Sequence, residues 1–255
     1  MRTKITQQRR DELASILMRD GHIDSAEQAA RCGVSHETIR KDLLYLEELG
    51  LAKKAYGGAT LTVEPAEQSF SQKDVENREL KRRIASAAIA HIADGDTILL
   101  DSGSTVCALA RLLAMRQMDV TVFTNSLKAA QILSEAGVRT FTLGGQARAS
   151  SGAITGSWAV NQLAEIRVQK VFLGCSGHED RPGPCVESFE EAQIKRAMLQ
   201  CADVRILLCD SSKARKRAMV QFAAWEDLDL LITDDGMDDE EKKRLLLRLR
   251  AMECV

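Results

Sequence analysis

The sequence predicts two units of different fold class. One is an N-terminal winged helix-turn-helix over 1–59; the other is a C-terminal α/β domain over 79–255 with a mostly parallel sheet. Three observations carry this reading. An amphipathic stretch from Ser35 to Leu46 follows a turn at Gly33 and precedes Gly50 and Gly57-Gly58. From Glu79 onward, short apolar runs alternate with loops of Gly, Ser, Asn and Asp and with helical periods, as in a parallel sheet covered on both faces. A length of 255 residues is too great for one winged helix and suits two domains.

The first unit reads in order. Leu13, Ile16 and Leu17 mark a helix, which Gly21 and His22 break. Asp24 and Glu27 have capping-box spacing and open a short helix carrying Ala26, Ala29 and Ala30. Ser35 is a suitable N-cap, since its hydroxyl can accept an orphan N–H of the first turn. Glu37 sits where the helix dipole favours a negative charge. Ile39, Leu43 and Leu46 recur at i, i+4 and i+7 and form one apolar face. Gly50 is the expected C′ residue. Leu51 to Ala59 has room for a short hairpin bearing Lys53, Lys54 and Tyr56. Thr60 to Arg78 reads as a linker, polar and without a period, and it holds Pro65.

The second unit reads as strand–loop–helix repeats. The expected strands are Thr97–Leu100, Val120–Phe123, Arg139–Leu143, Lys170–Leu173, Val204–Cys209 and Leu228–Thr233. Helices are expected from Ser104 to about Met115, through Ala136, and from Asp238 to Arg250, where acids lead and bases follow as the macrodipole favours.

Composition narrows the function classes. The formal net charge is −2, so any affinity for nucleic acid must be local. Between Met1 and Gly58 there are ten Lys and Arg against nine Asp and Glu, so non-specific DNA binding is expected to be modest and dimerisation necessary. No apolar run reaches the roughly 18 residues of a membrane span. The N-terminus lacks the apolar core of a signal peptide. Seven scattered cysteines suit a reducing compartment, and a cytoplasmic location is expected. Cys175, His178 and Cys185 lie close together, but no fourth ligand has zinc spacing, so no metal and no cofactor are expected.

His36, Glu37, Thr38, Arg40 and Lys41 lie on the polar face near the helix start, the position that meets base edges and phosphates in a helix-turn-helix. With Ser35 and the wing residues Lys53, Lys54 and Tyr56, they form the expected surface for double-stranded operator DNA. One helix reads few bases, so a homodimer or homotetramer is expected.

In the second unit, ligands bind beyond the carboxyl ends of the strands. Asp101-Ser102-Gly103-Ser104-Thr105 leads into a helix N-terminus, which makes an anion site from backbone N–H groups. Thr124-Asn125-Ser126 adds short polar groups, Arg148 beyond Gly144-Gly145 can supply a fork, and Lys213 a point charge. Asp101 can accept from sugar hydroxyls. A phosphorylated polyol satisfies these groups together.

Gly21 to Ala59 resembles the N-terminal region of the DeoR family of bacterial transcriptional regulators, whose pattern is Val-Ser-x-x-Thr-Ile-Arg-Arg-Asp-Leu with a Gly-Gly-Ala wing end. Lys41 and Lys54 replace arginines of that pattern, and Gln28 and Cys32 replace larger apolar residues. The second half resembles the family's effector domain at Asp101–Thr105, Thr124–Ser126, Gly144–Arg148, Glu191-Ala192 with Lys195, and Asp210–Lys213. Ala214-Arg215 and His178-Glu179 depart from it. The resemblance implies a fold similar to ribose-phosphate isomerases and coenzyme A transferases. It also implies a sugar-phosphate effector, with Glu191 at the site, that releases operator DNA. The function expected is a repressor of a carbohydrate-utilisation operon, without catalysis. The alternative is a sugar-phosphate isomerase or deaminase carrying a DNA-binding arm. That needs a general base, and Glu179, Asp180 and Glu191 are the candidates, none with a partner that would tune it.

Overall fold

A computed structural model describes residues 6, 9, 10, 12–14, 16, 17, 20–48, 52–61, 69–178 and 181–255. Gly50, Leu51, Pro65, Glu179 and Asp180 lie outside the described residues. The chain divides into two compact units, Met1–Ala66 and Glu67–Val255.

In the first unit, Leu13, Ile16 and Leu17 are helical and buried, and pack with Ile23, Ile39, Leu43 and Leu46 in one core. Asp24 caps helix α1 (Ser25–Cys32) by accepting from the amides of Ala26 and Glu27 at 2.8 and 3.0 Å. Gly33 ends that helix in the left-handed region, at φ 62°. The recognition helix α2 (His36–Glu48) starts where Ser35 accepts the Thr38 amide at 3.2 Å. Asp42, 2% exposed, is no DNA ligand: it accepts from Arg9 at 2.6 Å and Arg10 at 2.9 Å and ties the leading helix to α2. Gln28 is buried with its carbonyl oxygen unpartnered, where the family pattern has an apolar residue.

The wing differs from the expected lone hairpin. Strands β2 (Ala52–Ala55) and β3 (Gly58–Leu61) are joined by β1 (His22–Asp24), in the order β1-β3-β2. His22, read from sequence only as part of a helix break, therefore opens a strand. The pairing depends on Gly58, opposite Asp24. A Cβ there would lie 1.8 Å from the Ile23 carbonyl oxygen. Gly58→Ala is expected to force β1 from β3 and cost about 2 kcal/mol or more as an overpacked contact. A lower first transition in thermal unfolding, with loss of operator binding, is the expected result.

The second unit is built on a seven-stranded sheet in the order β14-β13-β11-β9-β4-β5-β6, parallel throughout. Its strands are β4 (Thr97–Leu100), β5 (Thr121–Thr124), β6 (Arg139–Thr142), β9 (Val168–Leu173), β11 (Ala202–Leu208), β13 (Leu230–Thr233) and β14 (Met252–Cys254). Outside it, β7 (Gln146–Ala147) pairs with β8 (Ile154–Thr155), and β10 (Cys185–Val186) with β12 (Val220–Gln221), as two short ribbons. Two apolar cores sandwich it. One holds Leu99, Val171, Leu207 and Trp225; the other holds Ile98, Leu100, Leu109 and Phe172. Neighbouring residues of one strand thus enter opposite cores, which is why the strands read as continuous apolar runs. The last expected helix stops early, at Asp239–Leu246, and strand β14 follows it.

The described residues of the expected linker over 60–78 belong largely to folded elements. Thr60 belongs to β3, and Phe70–Val75 forms helix α3 with a reciprocal Ser69–Gln72 capping box. Helix α4 (Arg78–Ala88) follows. Asp74 pairs with Arg111 at 2.8 Å, and Lys81 donates to the carbonyls of Lys73 and Glu76. Burial pushes the Lys81 ammonium down to about 8. Six residues are too few for a legible helical period, and α3 is held by these contacts from the domain body.

Candidate nucleic-acid interface and effector cleft

The first unit presents the expected DNA-facing residues on one helix and its wing. His36, Glu37, Arg40 and Lys41 are exposed on α2, with Lys53, Lys54 and Tyr56 exposed on the wing. Ser35 and Thr38 are partly spent on each other, their hydroxyls 2.9 Å apart. Arg40 donates to both Glu37 oxygens, at 2.8 and 2.9 Å, and this pairing holds the Glu37 carboxyl below its usual range. The pair leaves the guanidinium exposed with its direction set from within the helix. Arg40→Ala is expected to weaken operator binding by about 1–3 kcal/mol and blur preference at one base pair, as loss of a bidentate contact does. Lys54→Ala should instead weaken all sequences alike and flatten the salt dependence by about one unit. Footprinting across a salt series separates the two.

The second unit has its cleft where the strand order reverses. β5 and β6 extend the sheet on one side of β4, and β9, β11 and β13 on the other. A crevice opens beyond the carboxyl ends of β4 and β9, as such switch points require. Gly103 and Gly174 face each other across it: a Cβ added to Gly103 would lie 3.5 Å from the Gly174 Cα. The cleft encloses about 210 Å³ and is lined by Gly103, Ser104, Thr105, Glu191 and Lys213 among the expected residues. Helix α5 (Ser104–Arg116) begins at its wall, and no side chain caps that N-terminus. Its first N–H groups are therefore available to an anion. Lys213, in the short turn Ser211–Arg215 after β11, is 8% exposed, and its ammonium has no hydrogen bond or ion pair among the described residues.

The other expected residues serve differently. Asp101 is 1% exposed and does not face the cleft; it accepts from the Gly174 amide at 2.9 Å and from the Lys195 ammonium. Lys195 also donates to the Gly174 carbonyl at 3.0 Å. The buried pair thus fixes the loop after β9 instead of reading sugar hydroxyls. Thr124, Asn125 and Ser126 are buried: Thr124 donates to Leu100, Asn125 donates to Ile154 while its Oδ1 has no partner among the described residues, and Ser126 caps the next helix, Leu127–Glu135. Gly144 donates to Gln162. Gly145 packs so close to Thr155 that a Cβ would sit 2.5 Å from its carbonyl oxygen. Arg148 donates to Ser188 at 2.7 Å and lies 4.0 Å from Glu191, so it braces the Glu191 side of the cleft from behind.

Sequence reasoning passed over Phe70, Lys73, Ser151 and Glu187 in the lining. Phe70 and Lys73 come from α3, inside the supposed linker, and could be found only with the fold in hand. Lys216, one residue past the turn, is paired with Glu76 at 2.9 Å. Cys175 lines the cleft, and hydrogen bonding to it, with burial, pushes the Cys209 thiol well up. His178 is fully buried, edge-on to Trp225 at 5.0 Å, and burial lowers it to about 4. Among the described residues, no group of three His, Cys, Asp or Glu side chains is placed to hold a metal.

A winged recognition helix on one unit and a switch-point cleft on the other define a DNA-binding transcriptional regulator with a small-molecule sensor domain. Residues 9–64 match the DeoR-like helix-turn-helix domain, and residues 76–235 match the DeoR C terminal sensor domain. The chain belongs to the DeoR family. It is 36% identical over 203 residues to the HTH-type transcriptional repressor GlcR of Bacillus subtilis, spanning 79% of this chain and 78% of that one. The lactose phosphotransferase system repressor of Staphylococcus epidermidis is 33% identical over 242 residues, 93% of this chain and 95% of its own. The HTH-type transcriptional regulator GlpR of Haloferax volcanii is 33% identical over 84% of each chain. Among solved structures, ribose 5-phosphate isomerase A from Methanocaldococcus jannaschii overlaps 54% of this chain and 55% of its own, at 21% identity and a TM-score of 0.40. No helix among the described residues is long and apolar enough to cross a membrane.

Proposed function

We propose that this chain represses a carbohydrate-utilisation operon in the cytoplasm as a homodimer or homotetramer, and leaves its operator when a phosphorylated sugar enters the cleft. The observation that carries the effector is Lys213: an ammonium without a partner among the described residues, mostly buried, lining the same cleft as the uncapped N-terminus of α5. A phosphate monoester carries about two negative charges and three acceptor oxygens, which suits a cation and helix N–H groups together. Ser102, Ser151 and Ser176 line the same cleft and offer the sugar their remaining hydroxyl capacity, Ser102 also donating to Asp101 at 3.5 Å and Ser151 accepting from the Ala153 amide at 3.3 Å. The repressor names of the relatives support the direction of control.

The route from ligand to DNA runs along the chain. The turn that carries Lys213 also holds the segment leading from the first unit. Asn77 donates to Asp210 at 3.0 Å and to Ser212 at 3.2 Å, and Lys216 pairs with Glu76. A ligand pulling on Lys213 acts on the same turn that grips residues 76 and 77. It releases DNA by binding one arrangement of that segment more tightly than another.

The test is operator mobility shift with the full chain, titrated with hexose and pentose phosphates and with the same sugars unphosphorylated. Release by a phosphate ester alone supports the reading. Release by unphosphorylated sugars alone, or turnover of the esters, overturns it.

A further inference from the structure

We infer that Glu187 selects the effector by binding a protonated amine, so that the ligand is an amino-sugar phosphate. This rests on the phosphate reading of Lys213 and adds the chemistry of the opposite end. Seven charged side chains line the cleft, two of them carboxylates, Glu187 and Glu191. Most are already engaged. Lys195 is paired with Asp101, Lys216 with Glu76, and Glu191 lies beside Arg148; Lys73 and Arg217 also have partners. Lys213 and Glu187 are the two in that lining without a side-chain hydrogen bond or ion pair among the described residues. They share one cleft yet do not pair with each other. A small ligand that satisfies both must therefore carry opposite character at its two ends.

The phosphate end belongs to Lys213 and the α5 amides. At the other end, a carboxylate accepts hydrogen bonds but donates none. The serine hydroxyls of the lining both donate and accept, so they already match the hydroxyls of a plain sugar. A carboxylate is matched best by a group that only donates, and an ammonium is such a group. A plain polyol also leaves Glu187, half-buried, without a cation in direct contact among the described residues, whereas an ammonium pairs with it in a charge-assisted bond.

The experiment is calorimetric titration of the full chain with 2-amino-2-deoxyglucose 6-phosphate and with glucose 6-phosphate, for the native protein and for Glu187→Gln. The native protein is expected to bind the amino sugar about tenfold tighter, the size of one charge-assisted bond. Glu187→Gln should erase the difference between the two ligands. Equal affinities in the native protein, or equal weakening of both ligands by Glu187→Gln, overturn the role of Glu187 while leaving the phosphate reading standing. If neither ester binds, or binding survives Lys213→Ala, the phosphate reading itself falls and this inference with it.

Discussion

Lys213→Ala is expected to uncouple the protein from its effector while leaving it on DNA. A hydrogen bond to a charged group is worth about 1.5–3 kcal/mol, so affinity for a phosphate ester should fall roughly 10- to 100-fold. Operator affinity without effector should not change. The backbone of the turn keeps its bonds, because the Lys213 amide donates to Asp210 and its carbonyl accepts from His178, neither through the side chain. The grip on Asn77 also stays, since Asp210 and Ser212 supply it. In cells the variant should repress permanently. Titration calorimetry gives the affinity loss, and mobility shift gives the operator affinity. Loss of DNA binding with the fold intact would assign Lys213 to structure instead. An unchanged effector response would move the phosphate away from Lys213.

The recognition helix was legible because cap, apolar spacing and turn glycine sit within a dozen residues and act locally. The sheet was legible for a similar reason: strand segments buried on both faces have no room for polar residues, so residues 98–100 and 171–173 announce themselves, whereas Val168 and Gln169, at the start of the same strand, lie before the expected Lys170–Leu173. The edge of the cleft was harder. Thr124-Asn125-Ser126 and Asp101-Ser102-Gly103 look alike as polar loops after strands, yet the first is buried and bonds to Leu100, Ile154 and the next helix start, with the Asn125 Oδ1 left without a partner among the described residues. Only tertiary partners distinguish a satisfied polar loop from one that faces a ligand. Lys195 shows the same limit. In sequence it is one more lysine in the helix Phe189–Gln200, and nothing local states that it is buried against Asp101. Lys213 was legible because it follows Asp210-Ser-Ser at a strand end, where a charge has few structural reasons to stand.

Asp101→Ala is expected to cost the second unit more than any single change in the cleft lining. Asp101 and Lys195 are 1% and 5% exposed, and each is the other's counter-ion. Removing the carboxylate strands an ammonium in the interior with only the Gly174 carbonyl as acceptor. Breaking a buried pair this way costs about 3–5 kcal/mol. For a domain of this size, that lowers its melting temperature by roughly 10 °C. Two terms add to it: the Gly174 amide loses its acceptor, and the loop that carries Cys175 and Ser176 into the cleft loses its anchor. Effector response should therefore weaken even below the melting point. The double variant Asp101→Ala with Lys195→Met separates charge from shape. It removes the uncompensated ammonium while keeping the length of the side chain, and should recover a large part of the stability. It should not recover effector response, because the Gly174 amide stays unanchored. Scanning calorimetry of the full chain reads the stability, and calorimetric titration reads the response. If Asp101→Ala melts as the native protein does, or if the double variant is no more stable than the single one, the pair does not hold this loop.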